Sequence, residues 1–102
     1  MIKNEELLAL RDTLDFDGIF PIQCCQSLAI EIEKRFSLKV ITGLFILANG
    51  AGKPHTWNID PQANQIIDLA ADQFGPSFSK LIRVDSDSAF AKKHYVDIPV
   101  TY

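Results

Sequence analysis

Cysteine is scarce in this chain of 102 residues, and the only two are neighbours, Cys24 and Cys25. Adjacent cysteines cannot meet disulfide geometry without a strained peptide, and two of them do not make a stapled secreted scaffold. Histidine is equally sparse. His55 and His94 stand far apart, with no C-x-x-C or H-x-x-x-H spacing, so no metal site is expected. No apolar run approaches the roughly 20 residues that cross a bilayer, and Met1-Ile2-Lys3-Asn4-Glu5-Glu6 does not read as a signal peptide, so the expectation is a cytoplasmic protein with no membrane partner. Cationic excess is missing too: ten Lys and Arg, scattered, against thirteen Asp and Glu give a net charge of −3, which argues against nucleic acid as a partner. Gly50-x-Gly52 alone is a weak signal for a phosphate cradle, and no cofactor is expected. Repeats, linkers and low-complexity stretches are absent.

What the sequence does have is core material. With 47% hydrophobic residues, seven Phe, two Tyr and one Trp, residues 1–102 read as a single domain. Asn4 as N-cap, Glu5 and Glu6 at the positive helix end, and Leu7, Leu10 and Leu14 at helical spacing predict a helix over 5–14. Residues 15–21 form a loop with hydrophobic anchors. Cys25, Leu28, Ala29, Ile32 and Phe36 mark the apolar face of a second helix that starts at the cysteines. Strands are expected over 38–47, 54–59 and 65–70, the last two joined as a hairpin by Asp60-Pro61-Gln62-Ala63-Asn64, then over 80–84. A helical turn around 86–93, with an N-cap in Asp85-Ser86-Asp87-Ser88, and an extended piece over 95–100 close the chain. Two helices followed by mainly antiparallel strands make an α+β fold, with the cysteine-bearing helix packed on the sheet.

That order brings a constellation into view. A thiol reacts as thiolate, and a helix N-terminus beside an imidazolium lowers its pKa. Cys25 meets the first condition, and Leu28, Ala29 and Ile32 share its face; Cys24 takes its place if the helix begins one residue earlier. His55 supplies the imidazole, with Trp57 on the same strand face. Asp68 is preferred to Asp60 as its orienting carboxylate, because turn formation alone explains Asp60, whereas a carboxylate inside Ile66-Ile67-Asp68 needs a partner. If Ile59 opposes Asn64, His55 faces Asp68 directly and Trp57 faces Ile66; a slip of one residue turns Asp68 to the other face. The backbone N–H of Cys25 and the side chain of Gln23 or Gln26 are candidate oxyanion donors, and Gln73 a candidate neighbour of the site. His94, after Lys92-Lys93, reads as solvated, and Asp72 as a turn or cap residue.

His55-x-Trp57 and Ile67-Asp68, following a helix-borne cysteine, resemble the transglutaminase-like and papain-like cysteine superfamily, which shares the chain order Cys, His, Asp. More closely, Phe20-Pro21-x-x-Cys24-Cys25, His55-x-Trp57 and Ile66-Ile67-Asp68-x-x-Ala71-Asp72-Gln73-Phe74 resemble a family of small uncharacterised bacterial proteins, over roughly residues 16 to 98. The resemblance implies a minimal papain-like core and a triad of Cys25, His55 and Asp68. Ala29 and Ala70 depart from it, standing where Ser and Thr are expected. The activity implied is cysteine-dependent acyl transfer through a thioester, whether as peptidase, amidase, glutamine deamidase or transamidase. A chain this short has few residues for substrate loops, which points to a protein or peptide substrate. The alternative is a non-catalytic protein-binding module that keeps the fold, which the two alanines favour.

Overall fold

The computed structural model describes residues 2–13, 25–75 and 77–97, without the side chain of Cys25. Leu14, the loop at 15–21, Gln23, Cys24 and the strand end at Val100 lie outside the described residues.

Helix α1 (Asn4–Thr13) takes in Asn4 as its first residue. The carbonyl of Lys3 accepts from the Glu6 and Leu7 amides, while Glu6 Oε2 accepts from the Lys3 amide at 3.3 Å, so the backbone of Lys3 opens the helix. Helix α2 (Cys25–Phe36) follows the apolar spacing and closes at Ser37, whose left-handed backbone (φ 58°) lets its amide donate to the Glu33 carbonyl. Five strands follow: β1 (Lys39–Ile46), β2 (Gly52–Asp60), β3 (Gln65–Asp68), β4 (Ile82–Asp85) and β5 (Tyr95–Val96). A 3-10 turn, Ala71–Phe74, follows β3, and helix α3 (Ala89–His94) precedes β5. Ser88 caps α3, its Oγ accepting from the Ala91 amide at 3.1 Å.

The sheet order is β4-β3-β2-β1-β5 with every pair antiparallel, so the fold is α+β. Its central strand, β2, is buried on both faces from His55 to Asn58. Side chains alternate across a strand, so two cores result. On one face Leu7 and Leu10 of α1 and Leu28 and Ile32 of α2 pack with Leu38, Ile67 and Leu69. On the other, Ile41, Phe45, Trp57, Ile66 and Ile82 pack with Ala91 of α3 and with Tyr95. No helix among the described residues is long and apolar enough to cross a membrane.

The hairpin register differs from the expected one. Asp60 pairs with Gln65 and Ile59 with Ile66, a shift of two residues. The cause lies in the turn: Asp60 Oδ1 accepts from the amides of Gln62 and Ala63 at 3.0 and 3.3 Å, and Asn64 takes a left-handed conformation (φ 54°). Asp60 thereby serves as both the last strand residue and the anchor of the turn. β3 also ends at Asp68 rather than Ala70, because Asp68 Oδ1 accepts from the Ala70 amide at 2.9 Å and bends the chain out of the sheet.

Candidate active site: a buried histidine and aspartate pair

His55 and Asp68 meet on the α3 face of the sheet. Their positions are diagonal rather than directly opposed, yet a shift of two residues leaves every side chain on its original face. His55 Nε2 and Asp68 Oδ2 are 2.8 Å apart, with the two residues 0% and 1% exposed. Asp68 accepts two further hydrogen bonds, from the Ala70 amide to Oδ1 and from the Tyr95 hydroxyl to Oδ2 at 2.7 Å. With Asp68 Oδ2 as the acceptor in this contact, Nε2 is the ring nitrogen that carries the proton and Nδ1 is the nitrogen turned toward Gln73. Gln73, on the 3-10 turn, places its amide 3.4 Å from Nδ1, a long contact.

The surroundings are aromatic. Phe74 and Phe45 stand nearly perpendicular to the His55 ring at centroid distances of 5.0 and 5.7 Å, and Trp57 lies at 6.0 Å. Trp57 is 2% exposed, and its Nε1 has no hydrogen-bond partner among the described residues. Gly43, directly opposite His55 on β1, is what allows this packing, since a Cβ there would run into the Val96 carbonyl and lie 2.7 Å from the Trp57 ring. Burial pushes the Tyr95 hydroxyl far above its ordinary pKa, and the charge of Asp68 and the hydrogen bond to it act in the same direction, so Tyr95 stays protonated.

Family models, curated proteins and solved structures gave no match to this chain. Its chemistry is therefore read from the residues. Cys25 is the first residue of α2, one turn before Ala29, and its side chain lies outside the description, as do Gln23 and Cys24. Helix α2 is tied to β2 by Asn58, whose Nδ2 donates to the Ala29 carbonyl at 3.0 Å. Asn58 and His55 point to opposite faces of β2, so α2 docks on the face away from the His55–Asp68 pair. β3 pairs with β2 only at residues 58–60, and at His55 that flank of β2 has no strand beside it among the described residues.

Ala29 and Ala70 are both buried, and Ala70 belongs to the core beneath α1 and α2.

Three residues are corrected here. His94 is buried rather than solvated: its Nδ1–H donates to the Ile46 carbonyl at 2.6 Å and its ring stacks on Phe45, because the last turn of α3 faces the sheet. Asp72 lies on the 3-10 turn, as expected, but its side chain is no cap: it is the partner of buried Arg11, through bonds of 2.7 and 3.1 Å. Ile66, expected opposite Trp57, opposes Ile59. Sequence reasoning also missed Tyr95, which a lone aromatic in an extended segment does not reveal. No group of three or more His, Cys, Asp or Glu that could hold a metal ion occurs among the described residues.

Proposed function

We propose that the protein is a cysteine-dependent acyl-transfer enzyme with a minimal papain-like or transglutaminase-like core, using Cys25, His55 and Asp68. The observation that carries this reading is the buried 2.8 Å contact of His55 with an aspartate that accepts from three donors. Such a carboxylate fixes the imidazole tautomer, directs the lone pair of Nδ1 toward chemistry, and stabilises the imidazolium.

In the reaction, Nδ1 takes the Cys25 thiol proton and the thiolate attacks the carbonyl carbon of a carboxamide or peptide bond. The tetrahedral oxyanion collapses, the imidazolium gives its proton to the leaving nitrogen, and a thioester remains. Water, deprotonated by His55, releases the acid; an amine in its place gives transamidation. A protein or peptide is the substrate class proposed, and a reduced cytoplasm is the compartment that suits the thiol. The Cys25 N–H and the side chain of Gln23 or Gln26 are the proposed oxyanion donors, with Gln73 a neighbour of the pair.

Labelling with an electrophilic acyl probe tests this. The wild type should label, and Cys25→Ala and His55→Ala should not. Label lost in Cys24→Ala but kept in Cys25→Ala assigns the nucleophile to Cys24. Mass spectrometry of candidate proteins for a conversion of Gln to Glu then separates deamidation from cleavage. One observation favours the alternative, a protein-binding module: His55 is wholly enclosed, as a structural core pair would be. In that case thiol alkylation follows an ordinary profile with a midpoint near pH ~8.5.

A further inference from the structure

The His55–Asp68 pair has an unassigned third member on the far edge of the sheet. Tyr95 reaches Asp68 from β5, and its hydroxyl donates at 2.7 Å to Oδ2, the same oxygen that His55 Nε2 contacts at 2.8 Å. The Tyr95 ring is already held by Trp57 and Phe45, at centroid distances of 5.0 and 5.2 Å. Phenylalanine would serve that packing equally well, and among the described residues the hydroxyl's hydrogen-bond partner is Asp68. We infer that Tyr95 is a positioning residue that sets the proton affinity of His55 by sharing Asp68 Oδ2.

The physical basis is competition for one oxygen. A carboxylate stabilises an imidazolium through the charge density it presents, and a second donor on the same atom draws part of that density away. Without the hydroxyl, Oδ2 answers to Nε2 alone, and the pair keeps its proton to higher pH. Burial keeps Tyr95 protonated, so it remains a donor wherever the protein is folded.

Other titratable groups face the pair from fewer directions. His94 of α3 stacks on the Phe45 ring, which itself meets His55 edge-on. Asp72, next to Gln73, is paired with Arg11 of α1. Lys53 is exposed on the strand that carries His55, and the β1 residues on that face, Ile41, Gly43 and Phe45, carry no charge. Cys25 heads α2. Tyr95 is the group in direct contact with Asp68 that a single conservative change removes.

The inference rests on reading His55 and Asp68 as the proton-handling pair, but its test needs no turnover. Long-range nitrogen–proton NMR follows the His55 imidazole against pH in the wild type and in Tyr95→Phe; the chain has only one other histidine. The His55 midpoint should rise by about one pH unit in Tyr95→Phe. A second arm reverses the sign: 3-fluorotyrosine, a more acidic phenol, incorporated into Tyr102→Phe, where position 95 is the sole tyrosine, should lower the midpoint. That arm decides alone if Tyr95→Phe does not fold. An unchanged midpoint, a shift of the same sign in both arms, or no titration of His55 within the folded range overturns the inference. Shifts of opposite sign together with absent acyl labelling uphold the tuning and refute the enzymatic reading. Intact labelling with an unmoved midpoint does the reverse.

Discussion

Removing Arg11 should cost the fold about twice what removing Asp72 costs, although the two form one ion pair. The Arg11 guanidinium binds Asp72 through both oxygens, at 2.7 and 3.1 Å, and also donates to the carbonyls of Leu69 and Lys80 at 3.2 and 3.1 Å. One side chain of α1 thus gathers the end of β3, the 3-10 turn and the approach to β4. The two side chains are 8% and 17% exposed, which sets the pair between a surface bridge, worth about 0–1 kcal/mol, and a buried one, whose breakage costs about 3–5 kcal/mol. Asp72→Asn keeps the shape and one acceptor oxygen, so we expect a loss of about 1.5–2 kcal/mol. Arg11→Met strips the carboxylate and two carbonyls of their donor, and we expect about 3–4 kcal/mol, with the double variant no worse than Arg11→Met alone. At about 4–8 °C per kcal/mol for a domain of this size, melting points should fall by roughly 10 and 20 °C. Urea unfolding followed by circular dichroism, at low salt and in concentrated sodium chloride, measures both. Equal costs, a loss below about 1 kcal/mol for Arg11→Met, or costs that vanish at high salt would show a screened surface pair and refute the reasoning.

Ser37→Gly should raise the unfolding free energy by about 0.5–1 kcal/mol in urea titrations, because a left-handed backbone at the end of α2 suits glycine better than serine. Gly43→Ala should destabilise by about 2–4 kcal/mol and speed hydrogen exchange at Val96, since the added methyl meets the Val96 carbonyl and the Trp57 ring. Alkali acts through Tyr95: its phenol is raised in the folded protein, so above pH ~10 the unfolded chain releases a proton that the native state retains. Stability present below that pH is then lost at up to about 1.4 kcal/mol per pH unit, and Tyr95→Phe should remove this part of the slope in denaturant titrations above pH 10.

Much of the fold is legible in the sequence because its signals are local. The apolar spacing from Cys25 to Phe36 is enough to start and stop α2, and a run of β-branched and aromatic residues suffices for β1. The hairpin register departs from the expected one because Asp60 acts as strand residue and turn anchor together, which turn composition alone does not distinguish. The shift is of even length, so the pairing of His55 with Asp68 survives it. Arg11 and Tyr95 lie beyond such reasoning. Their partners are 61 and 27 residues away, and only the assembled sheet brings them together. His94 misleads for the converse reason: the lysines before it point to solvent while the helix turns the histidine under.

Asp68 joins the fold to the proposed chemistry. One of its oxygens turns the chain out of the sheet through the Ala70 amide, and the other holds His55 and Tyr95. Had β3 continued to Ala70, it would have flanked β2 at His55. The carboxylate that holds His55 is therefore the same group that ends β3 beside it. Asn58 fixes α2 to the opposite face of β2 at Ala29, so in the proposed reaction a thiol at the head of α2 has to pass the end of β3 to meet an imidazole that is enclosed in this structure. On this reasoning the length of β3 matters as much to the proposed reaction as the identity of the histidine.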